Sequence, residues 1–423
     1  MSKQKEAKVL CVSVGSSATE ETESEHARLL AALASTGVDV VGGVKVRCED
    51  DVRLVAAKAA ETNPDVLALI VLCGKTAPLQ MAVVQSVSLP AVVWAVGREF
   101  AFPSGALAVG ALKEEGRHAA LFHGTADDAD TMANFLAAIR AGAAITRLNR
   151  AKIGVIGGLF PNLVSCRYEP AIIKEKLGAD LVSISYERLR QEMNETVADQ
   201  AVLDHLHELC AERVPREALL PGLSLHTALK NIASELDLEA FACECWSGLP
   251  KEIGLNPCLG FIEDSYILAC EGDVMLALLL LMAKYMTGIS ACAGDIRYLD
   301  MDNILALCHC GGPSMAGNDA VLDFSNAAQE AGFTTVACRP NIPPGPVTLV
   351  RFYGRQCDRM HAASGDLLSC DRSNDLTVSV KLHGERSDFI NECFGNHYAI
   401  ISGDIRKELA ILGKWLNISI AFT

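Results

Sequence analysis

The sequence predicts an α/β protein with two doubly wound parallel-sheet domains followed by a C-terminal, mostly antiparallel β-barrel-like domain. Three observations carry this. Continuous apolar runs such as residues 9–14 and 66–72 alternate with helical segments through the first third, the pattern of strands buried on both faces between helices. The alternation restarts at Lys152-Ile153-Gly154-Val155-Ile156. Beyond Gly294 short strands separated by Gly and Pro take over, with single-residue alternation in Thr377-Val378-Ser379-Val380-Lys381. The domains are expected at residues 1–149, 150–290 and 291–423.

In chain order, the first unit reads as strands at 9–14, 38–41, 66–72, 91–95 and 119–122. Helices at 21–35, 52–61, 78–86, 105–115 and 126–140 lie between and after them. In the second unit, strand 152–156 runs into Gly157-Gly158, a turn that could cradle a phosphate. The full dinucleotide pattern is missing, and no acid closes the next strand at 181–185. Helices at 186–213 and 221–236 follow, then strands at 239–243 and 266–270 and an apolar helix from 274 to 283. The third unit has strands at 305–308, 334–338, 347–353 and 376–382 and a closing helix at 404–415.

Composition narrows the function. The net charge of −15 disfavours a general nucleic-acid or anionic-membrane surface, whose phosphates would repel it. The longest apolar stretch, 274–283, is about half of a membrane span, and the short run at 9–14 reads as a first strand rather than a signal-peptide core. Of the 16 cysteines, Cys11, Cys73, Cys270, Cys308 and Cys338 sit in apolar, strand-like runs, where a free thiol behaves as a small hydrophobe. No Cys-x-x-Cys exists. The pairs Cys243/Cys245 and Cys308/Cys310 have the wrong spacing for a zinc knuckle. A reduced, cytoplasmic setting is expected.

Chemistry concentrates at Glu271-Gly272-Asp273, two acids at a strand-to-helix junction. One reading makes Asp273 an N-cap and Glu271 a solvated turn residue; the other makes them functional acids at a sheet end. Downstream, Asp295, His309 and His397 lie at strand or loop edges. Carboxylates with imidazoles form a mixed oxygen/nitrogen donor set suited to Mn²⁺ and similar ions. Each residue also has a structural explanation, such as an Asp295–Arg297 ion pair.

Glu271-Gly272-Asp273, the apolar helix ending in Thr287-Gly288, and Gly294-Asp295-Ile296-Arg297 resemble the L-fucose isomerase and L-arabinose isomerase superfamily. The spacing of the two acids, 295 − 271 = 24, matches that of L-fucose isomerase, and Asn396-His397 resembles its C-terminal Asn-His pair. Pro103-Ser104-Gly105-Ala106 resembles its Pro-Gly-Ala helix start. His309 matches a ligand of L-arabinose isomerase alone. The substrate-contacting Gln that L-fucose isomerase carries before its Glu motif has no clear match, the nearby Cys243-Glu244-Cys245-Trp246 being different chemistry, and the chain is shorter than either namesake.

The resemblance implies aldose–ketose isomerisation of an open-chain sugar through an enediol. Glu271 and Asp295 would be catalytic, and Glu271, Asp295, His397 and His309 would hold Mn²⁺, or another divalent cation such as Mg²⁺ or Co²⁺. Trp246, Arg297 and Asn396 would face the sugar or support the ligands from behind, and Arg297, Lys251 and Arg351 are the basic residues available to an anionic substrate. A homo-oligomer, trimer or hexamer, is implied as well. The alternatives are a metal-dependent sugar epimerase or lyase and a non-catalytic sugar-binding protein.

Overall fold

The computed structural model describes residues 7–15, 19–97, 100–210, 213–259, 266–312, 319–330 and 332–423. The first sheet contains β1 (Lys8–Val14), β2 (Asp39–Val46), β3 (Val66–Val71), β4 (Ala91–Ala95) and β5 (Ala119–His123). These are parallel, in the order β2-β1-β3-β4-β5. Every residue of β3 and β4 is buried, as expected of continuous apolar strands covered on both faces. The helix Ala129–Leu148 contributes Ala138 and Ile139 to the core of this sheet and Ala144 and Ile145 to the next one.

The second sheet, also parallel, has the order β7-β6-β8-β9. Its strands are β6 (Lys152–Ile156), β7 (Asp180–Ile184), β8 (Ala240–Cys243) and β9 (Ile267–Ala269). After β9 a single tight turn leads into the helix Val274–Thr287, buried at every position from Val274 to Met286. A helix apolar all round belongs in an interior. This one packs against the helix Ala129–Leu148, β8, β9 and two barrel strands, so the acids at its N-terminus are anchored from several sides.

The third unit contains β10 (Cys292–Leu299), β11 (Ile304–His309), β12 (Val321–Phe324), β13 (Val336–Arg339), β14 (Gly345–Tyr353), β15 (Arg359–Asp371), β16 (Leu376–Leu382), β17 (His397–Ser402) and β18 (Ser419–Phe422). Six of them close antiparallel in the order β14-β17-β10-β11-β16-β15, with β14 pairing back onto β15. Closure removes the exposed edges that an open sheet would leave. β18 adds parallel to β15, and β12 and β13 form a separate hairpin.

Three local expectations change. The predicted helix 186–213 is two, Tyr186–Glu195 and Gln200–Leu209, because Thr196 is extended and Asp199 caps the second by accepting from Ala201 and Val202 N–H. Residues 211–212 of that expectation lie outside the described residues. The next helix begins at Arg216 and carries Pro221 inside it, where proline removes one backbone donor without ending the helix. The long strand β15 was not apparent from the sequence, since Arg359 to Ser364 lacks alternation. Among the described residues, no helix is long and apolar enough to cross a membrane.

Candidate metal centre

The turn between β9 and the buried helix is shaped by backbone more than by side chains. Glu271 adopts φ 57° and ψ 18°, left-handed for a non-glycine residue, and such outliers persist where the surroundings impose them. Gly272 follows at φ 70°, with its α-carbon so close to the Gly158 carbonyl that a Cβ would lie 1.7 Å from the oxygen. The Phe160 N–H then donates to the Glu271 carbonyl at 2.9 Å. The Gly157-Gly158 turn, which the sequence offered as a phosphate cradle, is thus packed under the acidic motif.

Asp273 is the N-cap, its Oδ1 accepting from Leu276 N–H at 3.0 Å. It is also wholly buried. Its Oδ2 accepts from Arg351 Nη1 at 2.8 Å and pairs with His397 Nδ1 at 3.0 Å. Burial pushes the Asp273 carboxyl up, but the Arg351 charge and His397 outweigh it and hold it below the usual range. Arg351, which the sequence could not place, is therefore committed to a buried ion pair.

β-Pairing brings the remaining donors together. Asp295 on β10 stands directly opposite His397 on β17, and opposite residues project from one face with Cβ atoms about 5 Å apart. His397 Nε2 lies 3.2 Å from Asp295 Oδ1 and 3.8 Å from Glu271 Oε1. Ligand atoms of Glu271, Asp295 and His397 all fall within 4.8 Å of one another. His397 is wholly buried, while Glu271 and Asp295 keep 18% and 27% of their side chains exposed, enough to meet a bound molecule. Asn396 Nδ2 donates to Asp295 Oδ1 at 2.5 Å and orients that carboxylate; no Asp295–Arg297 ion pair is present among the described residues.

One observation tests whether a cation fits. With Nδ1–H donated to Asp273, the His397 Nε2 lone pair faces two carboxylates, buried and without a hydrogen-bond partner. Burial opposes a charge on the ring, yet contacts with Asp273, Asp295 and Glu271 raise its pKa well above the ordinary imidazole value. The site calls for positive charge at Nε2, which a proton or a cation supplies. A carboxylate oriented against the far ring nitrogen is also the usual support of a metal-binding histidine. Burial raises the Asp295 carboxyl, but His397, His309 and Asn396 bring it below its usual value. Cys166, Asp273 and His397 also lie close enough to share an ion, but Arg351 already donates to Asp273 and to Cys166 Sγ.

The carboxylates open into a cavity of about 370 Å³ lined by Glu271 and Asp295 with Phe160, Asn162, Trp246, Asn256 and Asp375, among others. Its size suits a small ligand. Trp246 is held by Glu244, whose Oε1 accepts from Trp246 N–H at 3.1 Å and Ser247 N–H at 2.9 Å. Arg297 lines an adjoining cavity that shares Asp375. Among the described residues, no Lys or Arg lines the main cavity. His309 lies in the cavity wall, grouped with Cys270 and Cys310 rather than with Glu271, Asp295 and His397. Burial lowers its pKa, but Cys310 and Asp295 raise it to about 10. Sequence reasoning missed Phe160, Asn162, Asn256 and Asp375, which carry no motif and meet only through folding.

No family model matches the chain. It is 23% identical over 331 residues to the sulfoquinovose isomerases of Priestia aryabhattai and Priestia megaterium, an overlap of 71% of this chain and 70% of each of theirs. To the sulfoquinovose isomerase of Alkalicoccus urumqiensis it is 27% identical over 212 residues, 46% of either chain, so this overlap spans less than half of that relative.

Proposed function

We propose that the chain is a metal-dependent aldose–ketose isomerase acting on an open-chain sugar or sugar derivative through an enediol. The observation that carries this is the convergence of Glu271, Asp295 and His397 beside a small-ligand cavity, with His397 Nε2 aimed unpartnered at the two acids. The names of the relatives, at 23–27% identity, support a sugar isomerase independently. Glu271, Asp295 and His397 would hold Mn²⁺ or another divalent cation. When bound, the cation supplies Lewis-acid polarisation of the sugar's carbonyl and neighbouring hydroxyl.

The chain's own groups account for the rest. Glu271 and Asp295, exposed to the cavity, serve as the acid/base pair that removes a proton from one carbon and returns one to its neighbour. Asn396 keeps Asp295 oriented, and Asp273 keeps the His397 Nδ1 proton in place. Trp246, braced by Glu244, offers a flat face to the sugar. A cytoplasmic homo-oligomer, trimer or hexamer, belongs to the same reading, and light scattering of the purified chain tests the assembly.

The deciding experiment is a panel of neutral aldoses and sulfoquinovose incubated with Mn²⁺ in deuterated water and scored for ketose and for deuterium at the exchanged carbon. Ketose with deuterium incorporation is expected, abolished by chelator and in Glu271→Gln and Asp295→Asn. Full turnover in either variant sinks the assignment. Epimer formation without ketose selects the epimerase alternative. Because Arg297 is confined to the adjoining cavity, turnover of the sulfonated sugar is expected to depend on Arg297 and that of a neutral aldose is not.

A further inference from the structure

We propose that Cys258, Cys270, Cys310 and His309 form a binding site for a thiophilic divalent cation of the zinc class, distinct from the carboxylate site. Cys258 comes from the short turn Pro257–Leu259, Cys270 from the end of β9, and His309 and Cys310 from the end of β11. Cys258 Sγ lies 3.6 Å from Cys310 Sγ, and Cys310 Sγ lies 3.6 Å from His309 Nδ1. Donor atoms of Cys270, His309 and Cys310 all fall within 4.8 Å of one another.

Cys258 is outside that group and is set against it through Cys310 alone, so it would move in to complete the shell. With Zn–S about 2.3 Å, a zinc tetrahedron has sulfur–sulfur edges of ~3.8 Å, close to the Cys258–Cys310 separation. Three thiols and one imidazole are also a common structural zinc set. His309 Nδ1 lies 2.7 Å from the Gly311 carbonyl and donates its proton there, a backbone contact that fixes the ring and leaves Nε2 as the nitrogen to meet the ion. Cys245 is otherwise engaged, its Sγ accepting from Glu271 N–H at 3.3 Å. These cysteines are not in disulfides, and a thiol that binds gives up its proton to solvent.

Donor chemistry would sort the two sites. Thiolates select zinc-class ions, while carboxylates with imidazole accept Mn²⁺. Since Cys270 precedes Glu271, an ion held by the thiols would tie the Glu271 turn to β11 and to the segment carrying Cys258.

The test is a Co²⁺ titration of the reduced full-length chain followed by displacement with Zn²⁺. Thiolate ligation gives an intense near-ultraviolet charge-transfer band, which the oxygen/nitrogen site does not. One equivalent of band is expected, lost on adding Zn²⁺, lost in Cys258→Ser and Cys310→Ser, and kept in Asp295→Asn. Alkylation of the native wild-type chain, read by mass spectrometry, gives an arm that needs no variant: Zn²⁺ is expected to protect Cys258, Cys270 and Cys310 together. Absence of the band, its persistence in both serine variants, its loss in Asp295→Asn, or unprotected thiols with Zn²⁺ each overturn the proposal. None of these outcomes depends on isomerase turnover, so this proposal and the isomerase assignment fail separately.

Discussion

Asp273→Asn tests the claim that a buried ion pair governs the metal site. Asp273 is wholly buried and has three donors around it: Leu276 N–H on Oδ1, and Arg351 and His397 on Oδ2. An amide has one acceptor oxygen, so whichever way it turns, its own N–H₂ meets donors. The Arg351 charge is left buried without its counterion, a change that costs about 3–5 kcal/mol. Loss of the carboxylate behind His397 is expected to weaken Mn²⁺ binding about 10–100-fold. Stability is read by urea unfolding in chelator, and affinity by titration against a competing chelator. The double variant Asp273→Asn/Arg351→Met separates the effects. Removing the stranded cation should restore much of the stability but not the metal affinity, since the His397 Nδ1 proton still lacks its carboxylate. Wild-type affinity in the single variant, or affinity and stability recovering together in the double one, would refute the reasoning.

Three further outcomes are expected. Glu271→Gly relieves a left-handed backbone conformation (φ 57°) that costs about 1–2 kcal/mol in an L-residue, so it should remove metal binding while leaving stability in chelator unchanged or higher; a clear loss of stability would count against strain at this turn. Gly272→Ala forces a Cβ to within 1.7 Å of the Gly158 oxygen and should cost about 3 kcal/mol or more, with metal affinity lost as the turn shifts; a wild-type melting temperature would contradict the close approach. His361, buried between Tyr398 Oη at 2.6 Å and Thr423 Oγ1 at 2.9 Å, has its pKa pushed down by burial to about 4. The unfolded chain takes that proton first as pH falls, so stability drops between about pH 6.5 and 4, by ~3 kcal/mol in total; His361→Gln should flatten that slope, and an unchanged slope would exclude the residue.

Sequence alone determined the layers and the chemical centre. Continuous apolar strands between helices require cover on both faces, so the parallel sheets were legible, and single-residue alternation after Gly294 marked the antiparallel barrel. Glu271 and Asp273 were placed at a strand-to-helix junction because the apolar run after them is long enough for a helix. The structure keeps that junction but moves Asp273 from a simple cap to the centre of a buried network. Partners were the part the sequence could not give. Local patterns report which face of an element is buried, not which element lies across from it. Asp295 meets His397 only because β10 pairs with β17 in one register, and a slip of one residue would turn the two side chains to opposite faces. Arg351 was a loose basic residue until β14 carried it against Asp273. Asn396, expected to face the sugar or support the ligands, donates to Asp295. Cysteine spacing argued against a zinc knuckle built from neighbours in sequence. Cys258 and Cys270 each approach Cys310 from a separate chain segment, and that proximity is a property of the tertiary fold.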